Sequence, residues 1–316
     1  MMLRGASLGA VFLVGLLCAD PGAADLPGPP QELLEETRGA FTLRYSPRRR
    51  VLLDGVFKHL MAERDRVSAE LGAEAPPPVT VIMCETPGEF DDTVGYDAPW
   101  YVAGVARSDR RLIVLEMDVA LGDLDDVLTH ELCHIYLADA LGARLDAVPL
   151  WMNEAIAKRI SGDWTEADTI VMRDAVLGGK LLDFRDIERR FPAHHRSSSI
   201  AYAQSATLLE FAEQKAGPGV APAYVDAIRQ GQTHEEALAL AAGMPLDQLE
   251  EEWLAYLREH YRGMLVLYRV DELIFSFMGL LLVVAVVVTV RRRRRWNRAR
   301  EAEQEVNDAF GGSMWD

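Results

Sequence analysis

Val127-Leu128-Thr129-His130-Glu131-Leu132-Cys133-His134 is followed, past a loop, by Pro149-Leu150-Trp151-Met152-Asn153-Glu154. On a helix, His130 and His134 stand four residues apart and share one face, so both imidazoles reach one metal ion. Glu131 flanks that ion as a potential base. Zinc in catalytic sites commonly takes two His and one carboxylate and keeps a fourth position open, so the chain must supply one more acid downstream. Glu154 supplies it. It lies in a second apolar-periodic run, Leu150, Trp151, Ile156 and Ile160, with Pro149 at the first turn of that expected helix. A carboxylate in such a Trp-flanked segment is costly to bury unless a metal or partner compensates it.

Both runs together resemble the gluzincin metallopeptidases, and among them the bacterial peptidase MA-like domains with a P-x-W-x-x-E-G-x-A pattern. The resemblance covers roughly Pro78 to Leu257 and keeps Glu154 twenty positions after His134. It implies an α+β, zincin-like metallopeptidase domain: a small mixed sheet followed by a mostly helical part. It also implies a Zn2+ ion on His130, His134 and Glu154, with Glu131 as general base in the hydrolysis of a peptide or protein substrate. Two positions depart from the pattern. Ala155 replaces Gly, and Lys158 stands where a carboxylate that orients a zinc-bound His is expected. Asp146 and Asp163 are the substitutes the sequence offers. Because that carboxylate is missing, a catalytically silent binding or assembly module at the membrane is the alternative reading. The Ser199 to Ser205 stretch resembles the family's Y-A-Q-S run, and Tyr202 in it is a candidate donor to a developing oxyanion. A Tyr packed in the core gives the same sequence. His194 and His195, in an expected loop before that helix, are a second candidate pair.

The ends of the chain read differently from its middle. Arg4, the apolar run Leu8 to Leu17 and Gly22-Ala23-Ala24 read as a signal segment over residues 1–24. Leu273 to Val290 runs eighteen residues without a charge, about 27 Å of helix and enough to cross a bilayer's hydrocarbon core. Arg291 to Arg295, Arg298 and Arg300 follow at once, which places the tail 291–316 in the cytoplasm, with lipid headgroups as its partners. The expectation is a single-pass cell-membrane protein whose catalytic domain, residues 41–262, is extracytoplasmic. The motif lies far outside the span and in a charged context, which excludes an intramembrane protease.

Residues 291–316 hold seven Arg against five acids and residues 1–24 balance, so residues 25–290 carry a formal −18 of the chain's −16. Such a domain disfavours nucleic acid as a partner. Cys84 and Cys133 remain after residue 24, enough for one bridge, but Cys133 lies inside the motif helix and reads as a small apolar side chain. Residues 25–40 read as a Pro- and Gly-rich linker. Strands are expected at Phe41 to Tyr45 and Val79 to Met83, and a hairpin at Val102 to Ala106 and Leu112 to Leu115. A helix is expected over about Arg50 to Leu71, and six more over 166–177, 183–190, 200–216, 221–230, 234–241 and 246–260. The hairpin strand beside the cleft is one to which an extended peptide can add by edge pairing. No internal repeat is present, and oligomeric state is not legible.

Overall fold

The computed structural model describes residues 33–72, 78–99, 101–117 and 124–310. The expected signal segment and residues 25–32 of the expected linker lie outside them. The chain forms two compact units, Met1–Arg258 and Glu259–Asp316. In chain order the first unit contains β1 (Leu34–Arg38), β2 (Phe41–Tyr45), α1 (Leu53–Glu70), β3 (Val79–Cys84), α2 (Pro87–Val94), β4 (Gly104–Arg107) and β5 (Leu112–Glu116). It continues with α3 (Leu124–Leu141), α4 (Leu150–Ser161), α5 (Glu166–Gly178), α6 (His195–Ala216), α7 (Val220–Arg229) and α8 (His234–Ala242). The last helix, α9 (Leu246–Phe310), starts in this unit and supplies the second.

The sheet order is β1-β2-β3-β5-β4, parallel at β2–β3 and β3–β5 and antiparallel at both edges. Each parallel step needs a crossover; α1 provides the first, and α2 with β4 the second. Val79-Thr-Val-Ile-Met-Cys84 is an almost unbroken apolar run because β3 is covered on both faces. Ile82, Cys84, Val105, Leu112 and Val114 meet Phe90 and Val94 of α2 on one side. The residues alternating with them face the side on which α3 packs. Cys84 and Cys133 are both free and buried, as the apolar reading of Cys133 requires.

Several expectations are corrected. The segment expected as a linker to residue 40 ends in strand β1, whose Leu-Glu-Glu-Thr-Arg reads as polar because it is an edge strand, where charge discourages further pairing. The helix expected over 183–190 is a single 3-10 turn, Phe184–Ile187, ended before Pro192. The helix expected from about Arg50 begins with a 3-10 turn, Pro47–Leu52. Helix α2 went unread in the sequence although Thr86 caps it through the Glu89 N–H and Pro87 opens it. Finally, α6 starts at His195, so His194 is its N-cap and the two His do not form a loop.

Helix α3 is buried around most of its circumference, between the sheet and α4, which is why its sequence is apolar on nearly all sides. Trp151 anchors the start of α4, its ring 4.7 Å from Phe184 and 5.2 Å from His234. In the second unit, Ile274–Glu301 is the stretch among the described residues that is long and apolar enough to cross a membrane, with a mean hydropathy of 2.4.

His234 supports the helical half through the Tyr224 hydroxyl, 2.8 Å from its Nδ1, and burial pushes its imidazole down to about 4. The unfolded chain, titrating near 6.5, therefore takes up this proton first as pH falls. The residue's contribution to stability is complete above about pH 6.5 and fades towards about pH 4. We expect the stability lost between about pH 7.5 and about pH 5 to be smaller in His234→Gln than in the native chain by about 1–2 kcal/mol. Urea unfolding of the full-length protein in detergent measures it, and equal losses would remove His234 from the account.

Candidate metal centre

Helix α3 presents His130 and His134 on the face that meets α4, and α4 returns Glu154 between them. His130 Nε2 lies 3.2 Å and His134 Nε2 3.6 Å from Glu154 Oε2. One ligand atom from each of the three residues falls within 4.8 Å of the others, and all three residues are buried. The sequence-predicted ligand set is thus brought together.

What lies behind each imidazole decides which nitrogen faces the centre. His130 Nδ1 is 3.1 Å from Asp163 Oδ2, and His134 Nδ1 is 2.8 Å from Asn153 Oδ1. A carboxylate and an amide oxygen only accept, so each Nδ1 carries the proton and each Nε2 offers its lone pair inward. Asp163 is there because α4 ends at Gly162, whose φ of 75° reverses the chain one residue earlier. Of the two substitutes the sequence offered, Asp163 occupies the position behind His130. Asp146 instead lines a separate cavity with Val148, Pro149, Glu188 and His234.

The donor set fits a dication. His134 Nε2 and Glu154 Oε1 are buried with no hydrogen-bond partner among the protein groups, which is costly unless an ion takes their lone pairs. Burial disfavours a charged His130, but Asp163 and Glu154 outweigh it and push the imidazole up to about 10. Two carboxylates therefore call for a positive charge at this imidazole, which an ion at Nε2 also supplies. Burial raises the Glu154 carboxyl while His134 and His130 pull it below the usual carboxylate range.

Glu131 sits one residue from His130, and its two oxygens are buried without a completed hydrogen bond. Burial, together with Glu154, holds its carboxyl well above the ordinary value, partly offset by His130. Its position is set by the edge strand. A Cβ on Gly104 would lie 2.8 Å from Val127 Cγ1 and 3.0 Å from Glu131 Oε1, so only glycine lets α3 approach β4 this closely.

Tyr202 stands on α6 with its ring edge-on to Phe191 at 4.6 Å. Burial raises its hydroxyl, and the charges of Glu154 and Glu131 add to that. Tyr96 is pushed up to about 12 by burial and by the charge of Glu131. His195 packs on Tyr101 at 4.7 Å, whereas His194 is exposed. Sequence reading missed Asn153, Gly104, Tyr96 and Tyr101. Only Asn153, beside Glu154 in the motif, carried a local signal.

No curated protein matches this chain. The family model described as the Peptidase MA superfamily matches residues 63–259, from α1 through both motif helices to the first turns of α9, and on that match the chain belongs to the Peptidase MA superfamily.

Proposed function

We propose that this protein is a membrane-anchored, zinc-dependent peptidase whose catalytic domain faces away from the cytoplasm. The observation that carries the reading is the convergence of His130, His134 and Glu154, with Glu131 buried beside them and both imidazoles oriented from behind. The choice of zinc rests on the ligand set, two imidazoles and one carboxylate with room for a fourth partner.

When bound, zinc supplies Lewis acidity, making a neighbouring water more acidic and a carbonyl more electrophilic. Glu131 accepts the water's proton at its carboxylate and afterwards delivers it to the leaving amine. Burial raises its proton affinity above that of an ordinary carboxylate, the direction that favours taking up the water's proton. Tyr202 donates its hydroxyl proton in a hydrogen bond to the developing oxyanion. The substrate lies along β4. Because Ala103 accepts from the Glu116 N–H, the antiparallel alternation turns the backbone groups of Gly104 and Ala106 away from β5, towards Glu131 and the side on which an extended peptide can pair. The silent-module alternative rested on a missing carboxylate behind His130, and Asp163 fills that place.

The anchor is the apolar helix within Ile274–Glu301, and the seven Arg after Val290 orient it with the tail in the cytoplasm. A reporter fused after Asp316 is then expected to be active only in the cytoplasm; activity outside would overturn the orientation and the location of the site.

Metal analysis of the full-length protein in detergent is expected to find about one zinc per chain, lost in His130→Ala, His134→Ala and Glu154→Ala. Full retention in Glu154→Ala would remove that residue from the ligand set. Glu131→Gln keeps the shape of a residue that is a base and not a ligand, so zinc should stay while cleavage of a peptide library falls about a hundredfold or more, roughly 3 kcal/mol on the barrier. A Glu131→Gln protein that cleaves as fast as the native one would sink the catalytic reading.

A further inference from the structure

We infer that Lys158 is a positioning residue for the metal centre: it clamps Asp163 against His130 and so sets the affinity of the site for a dication. This rests on the metal-site reading above. Lys158 follows Glu154 by four residues on α4, one turn further along the same face. Its side chain is only 6% exposed, a place where an ammonium persists only when paired. Its Nζ meets three oxygens: Asp163 Oδ1 at 2.9 Å, the Asp163 carbonyl at 3.2 Å and Asp168 Oδ2 at 3.3 Å. Three acceptors match the three protons of the ammonium.

The geometry divides the Asp163 carboxylate between two tasks. One oxygen takes the ammonium, and the other faces His130 Nδ1 at 3.1 Å. Holding the first oxygen fixes the plane of the carboxylate, and so the direction from which the second receives the imidazole proton. The anchors of the clamp are themselves tied down. The Gly162 N–H bonds the Lys158 carbonyl at 3.1 Å, and Asp168 closes the capping box of α5 with Thr165. The end of α4 and the start of α5 therefore meet on one ammonium.

The alternative is that Lys158 only neutralises buried acid and adds stability. The two differ in coupling. If Lys158 acts on the metal through Asp163, its removal costs nothing further once Asp163 no longer offers a carboxylate. If it acts only on stability, metal affinity does not register its loss.

The experiment is a double-substitution cycle on the full-length protein in detergent, with Zn2+ affinity read by competition with a chromophoric chelator. Asp163→Asn is expected to bind Zn2+ about 10- to 100-fold more weakly, the usual cost of losing a partner behind a metal-bound His, and Lys158→Met about tenfold more weakly. The double variant should lie within about threefold of Asp163→Asn alone. Should Lys158→Met fail to fold, Lys158→Gln, which lacks the charge and is too short to reach Asp163 as the ammonium does, takes its place in the cycle with the same expected loss and non-additivity. Losses that multiply in the double variant would overturn the inference, as would a Lys158 variant that lowers the melting temperature yet binds Zn2+ as tightly as the native protein. If the native chain itself binds no Zn2+, the metal-site reading falls and takes this inference with it, whereas tight native binding with an additive cycle removes the inference alone.

Discussion

Glu131, Glu154, Asp163 and Asp168 bring four carboxylates into the layer where α3, α4 and the start of α5 meet, with Glu131 and Glu154 almost wholly removed from water. Desolvating an unmatched carboxylate costs several kcal/mol, so each must be neutralised, hydrogen-bonded or protonated. Local features that look unrelated in the sequence answer this one demand. Lys158 serves Asp163 and Asp168, Asp163 serves His130, and the two imidazoles serve Glu154.

The demand is met only because the backbone approaches closely in the right places. Gly104, with Ala106 two residues on, presents so little side chain that α3 settles against the edge strand, and that contact brings Glu131 beside the backbone groups a substrate would pair with. Gly162 turns the chain back at the end of α4, returning Asp163 to a helix it has just left. Neither glycine belongs to the His130, His134 and Glu154 group, yet each fixes where a charged group stands. Trp151, wedged between Phe184 and His234, fixes the other end of α4 and with it the height of Glu154.

How much of this was legible beforehand follows from the range of each interaction. His130, Glu131 and His134 lie within one turn of helix, so spacing alone put them on one face, and the apolar context of Trp151 marked Glu154. The central strands were equally plain, since Val79 to Met83 is apolar at nearly every position. The support behind the imidazoles was not legible, because it depends on a left-handed turn at Gly162 and on packing between α3 and α4. Lys158 read as a defect in the pattern for the same reason: its charge makes sense only once Asp163 and Asp168 are known to converge on it. Strand β1 was lost to its own polarity, since an edge strand need not carry an apolar alternation.

The charge balance of the buried layer also distinguishes the carboxylates from one another. The Lys158 ammonium and a dication, were one bound as proposed, would together bring three positive charges against four carboxylates, so one carboxylate would be left without a match. Asp163 and Asp168 touch the ammonium, and Glu154 lies between the two imidazoles. The remaining one is Glu131, whose oxygens complete no hydrogen bond and whose carboxyl is held well above the ordinary value. A residue left in this position gains most by taking a proton, and that is what the general-base role proposed for it requires. An acid at position 158 in place of Lys would add a fifth negative charge to the same layer. The reversal of charge there is therefore consistent with a second acid being recruited from the turn, and it leaves the proton affinity concentrated on Glu131, the carboxylate beside the His130, His134 and Glu154 group.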